Sequence, residues 1–506
     1  MKRFSLLALI ALALAVAFVV AAPPVQAKKS PPTPSPSPSA LPTASPEPPS
    51  VAIPRLVARL KANPTDQVAM TQLAGEYLQV GRPDITIQYT QHLLQLGDKA
   101  DQVFYYDGMA NEQLGNGPAA LYDLEQASNL DPTNLSVLAA LADVYLKANR
   151  PGDAERVAKR AVTFNKTDAG ALMTLGSVYA AEQHFDDARA QFEAALLLSP
   201  KDPAPLFQIA TTYAQQDNIP MAIQTVGRAL AIDPRSVQAL VFKADLYARQ
   251  HDDAHTSEAY DDAVVAAPTD DEKVAILIRK ASYFVSEKKD AQGVAIFQQI
   301  TQQFPKVPAG FSAFGDYYAS KQQYAQATTQ WQAALALDAN QPGALLGMGE
   351  ISMLGGKVND SISYFRRYTT VSPDAQGYAL LGQAYTRVHD YSSAKDACTK
   401  SFEIQRSPAT LGCVAGADFE LKNYKEASQI FDVLDKVSHN YLDSDPQMLF
   451  IAAKSYSSSK QCSKASAAYK RLLNSPALKK GSKAYNDVEK AAAQSCKASA
   501  PAKKSG

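Results

Sequence analysis

The chain has 506 residues, 46% of them hydrophobic and 20% charged, and its 50 Lys and Arg balance 50 Asp and Glu to a net charge of zero. A neutral balance removes the electrostatic reason to expect nucleic acid, for which a strongly basic face is the usual footprint. Length alone suggests about three or four globular domains, but the internal repeats described below override that expectation.

The first segment, 1–27, has the layout of a secretory signal. Lys2 and Arg3 precede an uncharged run from Phe4 to Ala22, and Val25-Gln26-Ala27 offers small residues for cleavage. The run is longer than the usual core of about 7–15 residues, so an uncleaved membrane anchor is the alternative reading. In both cases the two cations stay on the cytoplasmic side and the body crosses. No cysteine follows the run to carry a lipid. Residues 28–51 are rich in Pro, Ser and Thr, and such a segment extends as polyproline II at about 3.1 Å per residue. It reads as a disordered spacer, with a proline-rich recognition motif as the sharper alternative. Residues 52–66 read as a capping helix ending at Asn63-Pro64.

From 67 to 479 one pattern returns every 34 residues. The clearest copy is 169–202, with Leu172, Leu175, Gly176, Tyr179, Ala188, Phe192, Ala195 and Pro200 at fixed offsets. Small residues sit where two helices must cross, aromatic residues fill the layer between them, and proline stops the second helix. The register runs back through Tyr145 and Leu73-Ala74 with Tyr77. It runs forward through Tyr213 and Tyr247, skips three residues, and resumes with Phe284, Tyr318 and Trp331, then Phe365, Tyr385, Phe431 and Tyr469. A final helix is expected within 480–496, and 497–506 reads as a disordered Lys-rich tail.

These residues and this period resemble the tetratricopeptide repeat family. The resemblance implies an all-α fold, an α-solenoid of about 12 repeats wound as a right-handed superhelix with a capping helix at each end. Each unit leaves an apolar face that only its neighbour can bury. In that family the first helix of each pair lines a concave groove. The groove positions are then Tyr105, Met109, Glu112, Asp143, Met173, Phe207, Asp245, Ile278, Asp316, Leu346, Glu350 and Met353, with Lys454 as the only cation. Some family members clamp a partner's C-terminal carboxylate with Lys, Arg and Asn at these positions. Those residue types are nearly missing here. An extended or helical peptide with apolar anchors is expected instead, its Lys or Arg side chains met by Asp143, Asp245, Asp316 and Glu350. Ordinary solvation of those acids is the alternative.

Signals of catalysis are weak. Gly115-Asn116-Gly117-Pro118-Ala119-Ala120 mimics a phosphate loop but lacks the preceding strand that such a loop requires, so a turn explains it. His251 and His255, beside Asp252 and Asp253, could face one metal ion, yet they open at an inter-helix loop where polar residues belong. No cofactor and no catalytic residue is assigned. Four cysteines in an exported chain suggest disulfides. The repeat register places Cys398 beside Cys413, and Cys462 near Cys496, at the weakly patterned C-terminal end. Buried reduced thiols are the alternative.

The leading expectation is a non-enzymatic protein-interaction scaffold of the cell envelope, periplasmic or secreted. Its partners would be protein segments, with no nucleic acid, and membrane contact only through an uncleaved N-terminus. Assembly or secretion of envelope components is the role that family analogy suggests. A carbohydrate- or wall-binding module using Tyr105 and Phe207 is the second reading, and a metal-assisted enzyme at His251 and His255 the third.

Overall fold

The computed structural model describes residues 47–496 of the chain; the expected leader, most of the linker and the Lys-rich tail lie outside them. Among the described residues there is no strand, only helices joined by short turns. None of those helices is long and apolar enough to cross a membrane. The chain divides into two compact units, one ending at Lys289 and one beginning at Asp290.

The first unit opens with α1 (Pro49–Ala62), which starts three residues inside the segment expected to be linker. Helix pairs follow: α2 (Gln67–Gln79) with α3 (Pro83–Gln95), α4 (Asp101–Gln113) with α5 (Gly117–Leu130), and α6 (Leu135–Lys147) with α7 (Pro151–Phe164). Next come α8 (Ala169–Ala181) with α9 (Phe185–Leu198), α10 (Ala204–Gln215) with α11 (Ile219–Ile232), and α12 (Val237–Arg249) with α13 (Asp253–Ala266). Helix α14 (Asp270–Ser286) closes the unit.

The second unit begins with α15 (Asp290–Gln303) and continues as α16 (Pro308–Ser320) with α17 (Tyr324–Leu337), and α18 (Pro342–Leu354) with α19 (Val358–Val371). Then come α20 (Ala375–Arg387) with α21 (Tyr391–Ile404), and α22 (Pro408–Glu420) with α23 (Tyr424–Val437). A short helix that the period does not anticipate, α24 (His439–Ser444), precedes α25 (Pro446–Ser458) with α26 (Cys462–Leu473). Helix α27 (Lys483–Gln494) is the last described helix, with Val488 buried beneath it.

Both kinds of turn follow from local chemistry. Where the first helix of a pair ends, one residue adopts positive φ: Gly81, Gly115, Asn149, Gln183, Asp217 and His251 in the first six turns. The next backbone N–H then reaches back to the carbonyl five residues earlier, as from His184 to Tyr179 at 2.8 Å and from Asp252 to Tyr247 at 3.1 Å. That is the Schellman closure, which satisfies carbonyls the helix end leaves free. Most of these residues are not glycine, so the closure and the packing around it hold them in place. At the other turn a short polar side chain caps the next first helix. Asp168 accepts from Ala171 N–H at 2.7 Å, and Asn134 accepts from Ser136 N–H at 3.1 Å.

Three of the pairs share one close contact. A Cβ on Gly176 would lie 2.5 Å from the Phe192 ring, and one on Gly315 would lie 2.5 Å from the Trp331 indole. Gly349 stands in the same relation to Phe365, sixteen residues on. The large side chains so received are buried to within a few percent, Phe192 and Phe365 completely.

Gly176→Ala should therefore lower stability in urea by about 1–3 kcal/mol of overpacking. Gly227→Ala, inside α11 with nothing within 4 Å of a new Cβ, should raise it by about 0.5–1 kcal/mol through helix propensity. Equal shifts of the urea midpoint for both would show that close approach does not govern the pair.

Candidate functional site

In the first unit, α2, α4, α6, α8 and α10 pack directly on one another in succession. In the second, α16 packs on α18, and α22 on both α20 and α25. No pair of successive second helices packs as closely among the described residues, so the first helices converge and present the inner face of each unit. That face carries the expected partner-binding residues.

Three of its carboxylates already have cations. Glu112 of α4 and Asp143 of α6 share the ammonium of Lys147, each at 2.6 Å. Asp245 of α12 is paired with Arg279 of α14 and accepts the Tyr260 hydroxyl at 2.6 Å. Lys454 is therefore not the only cation of this face; Lys147 and Arg279 belong to it too. Lys454 itself lies 4.5 Å from the Phe450 ring centre.

The apolar positions divide. Tyr105, Met173 and Phe207 are half-buried and lean on the neighbouring core clusters, with Phe207 tilted against Phe242 at 5.2 Å. Tyr105 meets the Tyr106 ring at 5.6 Å. Met109 and Ile278 are half-buried as well, and Leu346 packs in part against the cluster of Met353 and Phe365. Met353 departs from expectation: it is buried and packs with Phe365, Leu381, Ala384 and Ala397. The last turn of α18 lies under the following repeat, and Arg387 crosses over it to the Met353 carbonyl at 3.1 Å. Met353 is a core residue, and it leaves the groove set.

Asp316 and Glu350 differ from the other acids. They stand on α16 and α18, which touch, and no cation pairs with either among the described residues. Asp316 accepts the Trp331 indole N–H at 2.9 Å and otherwise faces solvent; Glu350 has no hydrogen-bond partner among the described residues. Loss of hydration in the concave face pushes Asp316 up to about 6. The same loss, then the negative charge of Asp316, pushes Glu350 up to about 7. Leu346 lies one turn before Glu350 on the same stripe of α18. Gly343 lies one turn earlier still, where α16 comes so close that a Cβ would meet Ser312 Oγ at 2.5 Å.

A buried polar cluster lay outside the sequence reading. Asp107 of α4 and Asp123 of α5 are 6% and 7% exposed. Asp107 accepts from the Thr90 hydroxyl, and Asp123 accepts from Asn111 Nδ2 at 3.1 Å. Desolvation first, then the charge of Asp107, pushes Asp123 up to about 7. The sequence did carry a signal. Asn111 stands 34 residues after Tyr77 and 34 before Tyr145, where the pattern calls for Tyr.

The histidines are separately engaged. His251 Nδ1 lies 2.9 Å from Glu287, whereas His255 Nδ1 lies 2.7 Å from Asp252 and its ring stacks on Tyr247. Among the described residues no three His, Cys, Asp or Glu side chains converge to hold a metal. Gly115, in the sequence that mimics a phosphate loop, is the left-handed residue of the α4–α5 turn. Cys398 of α21 is bonded to Cys413 of α22, and Cys462 at the start of α26 to Cys496 after α27, with Cα separations of 5.5 and 5.7 Å. Gly382 makes room for the first bridge, since a Cβ there would lie 2.7 Å from Cys398 Sγ.

Antiparallel helix pairs, each closed by the same turn and offering first helices on one face, define a repeat scaffold for protein–protein interaction. Models described as tetratricopeptide repeat match residues 113–176 and 179–246, and again 312–378. Over these residues the chain carries tetratricopeptide repeats. No curated protein matches its sequence. Among solved structures it is similar to yeast Tom70, at 15% identity over 74% of this chain and 92% of that one, with a TM-score of 0.42. It is also similar to TTC0263 of Thermus thermophilus, at 20% identity over 36% of this chain and 98% of that one, TM-score 0.33. A third is YrrB, titled a protein with an unusual peptide-binding site, at 23% identity over 37% of this chain and 95% of that one, TM-score 0.30.

Two outcomes follow. Asp123 binds its proton more tightly folded than unfolded, so its contribution is fully present below about pH 4 and is lost as pH rises through about 7. Asp123→Asn should therefore match the wild type in urea near pH 4 and exceed it at pH 8; a constant offset would refute the linkage. Reduction of the Cys398–Cys413 bridge, which spans 15 residues, should cost about 3 kcal/mol by loop entropy. Hydrogen exchange should rise in α21 and α22 and stay unchanged in α2–α10.

Proposed function

We propose that this chain is a non-enzymatic scaffold exported to the cell envelope, and that it docks partner peptide segments on the first-helix face. An apolar anchor sits at Leu346, and a Lys or Arg side chain enters between Asp316 and Glu350. The observation that carries this reading is the pair itself: two neighbouring carboxylates without a cation among the described residues, partly desolvated, on adjoining first helices. A bound cation would supply the missing charge and keep both groups ionised. Asp143, Glu112 and Asp245 have that charge from Lys147 and Arg279 within the chain, and so have less to gain.

Export rests on Lys2, Arg3 and the apolar run after them, and is supported by four cysteines closed in two bridges, an arrangement that favours an oxidising compartment. The carbohydrate reading at Tyr105 and Phe207 loses ground, because neighbouring rings already occupy part of each aromatic surface.

The test uses extended peptides with Leu anchors and one central Lys, compared with the same peptides carrying norleucine. Fluorescence anisotropy should show the Lys peptides binding more tightly, and Asp316→Asn with Glu350→Gln should weaken them about tenfold. Asp143→Asn should leave affinity unchanged. Affinity should rise from pH 6 to pH 8 as the two carboxylates ionise. Equal losses from Asp143→Asn and from the Asp316/Glu350 variant would remove the assignment.

A further inference from the structure

The second unit has a cleft on another side. Helices α19 and α21, both second helices, form its walls and α20 its floor, around a space of about 750 Å³ that is open to solvent. That volume lies within the range of small-molecule sites, about 300–1,000 Å³.

Its lining is cationic and hydroxylated. Arg366 and Arg367 come from α19 and Lys400 from α21, against one carboxylate, Asp396. Among the described residues no carboxylate pairs with any of the three cations: Arg366 has no side-chain partner, Arg367 donates to the Ala339 carbonyl, and Lys400 lies 5.4 Å from the Tyr378 ring centre. Several other arginines do pair with carboxylates, as at Arg150–Asp153 and Arg249–Asp217. The floor supplies Tyr378 and Tyr385, and Ser363, Thr370 and Ser393 add hydroxyls along the walls.

Unpaired guanidinium and ammonium groups call for an anion, which they hold by charge-assisted hydrogen bonds. Anion recognition alone would not need tyrosines beneath a rim of hydroxyls. Those suit a ligand that is itself rigid and hydroxylated, with ring faces to lie on aromatic surface and several groups to exchange hydrogen bonds. An extended acidic peptide would ask instead for apolar pockets and free backbone partners, and the walls here are helices with their backbone groups satisfied.

We propose that the cleft between α19 and α21 binds an acidic saccharide, a sugar ring carrying a carboxylate or a phosphate. Arg366 and Lys400 take the anionic group, and the tyrosine floor takes the ring. This site is independent of the peptide face and stands or falls separately from it.

The experiment is calorimetric titration of the full chain with a short oligogalacturonate, with glucose 6-phosphate, with a neutral malto-oligosaccharide of matched length, and with tetraglutamate. The proposal expects binding of at least one acidic sugar, weakened by salt, with the neutral sugar and the peptide at least about tenfold weaker. Arg366→Gln with Lys400→Gln, both at exposed positions, should leave the thermal transition in place and reduce acidic-sugar affinity about tenfold or more. Absence of binding by both acidic sugars overturns the proposal, as does tetraglutamate binding equally well. Unchanged affinity in the double variant removes the ligand from this cleft.

Discussion

The structure depends on a small residue, Gly or Ala, in the first helix of each pair that lets the second helix approach. Gly176 with Phe192, Gly315 with Trp331 and Gly349 with Phe365 repeat one contact in which no Cβ fits. It sets the distance between the helices of a pair. With that distance fixed, the turn at left-handed Gln183 can close, His184 N–H donating to the Tyr179 carbonyl. Each closed pair still shows an apolar face, and burying it against the next pair aligns the first helices side by side. The inner face is thus a consequence of packing, and the residues it displays are those that packing leaves over.

What is left over is mostly charge, and the two units treat it differently. On the first, Lys147 and Arg279 neutralise the carboxylates of α4, α6 and α12 from within the chain. Exposed pairs of this kind add little to stability, but they remove the demand for an outside cation. On the second, Asp316 and Glu350 have only an indole N–H between them among the described residues. Dehydration in a concave place raises both proton affinities, and the charge of Asp316 raises that of Glu350 further. A positive guest supplies there the counter-charge that neither acid has from within the described residues.

Most of the fold was legible because a period of 34 residues samples the same packing position again and again, and errors at one repeat are corrected by the others. Helix pairs, turn positions and the late helix α27 all follow from it. Short α24 was not legible, since it occurs once and breaks the spacing. The candidate site was less legible for a different reason. A period tells which stripe of a helix faces inward, but not how far the next repeat covers it, and so Met353 was placed on the open face although its turn is overlain. Charge partners were readable in part: Lys147 is four residues after Asp143, and Arg279 is one period after Asp245. The Asp107–Asp123 cluster was marked only by an Asn where Tyr was due, and a missing aromatic says nothing about what replaces its packing.

The central claim is that polypeptide segments dock on the first-helix face of the second unit. Hydrogen exchange of the full chain bound to peptides selected from a random display library tests it most directly. The account predicts that selected peptides combine a Lys or Arg with an apolar residue, and that they slow exchange in α16 and α18 while leaving α17 and α19 unchanged. Selection of acidic peptides, or protection confined to α17 and α19, would contradict it.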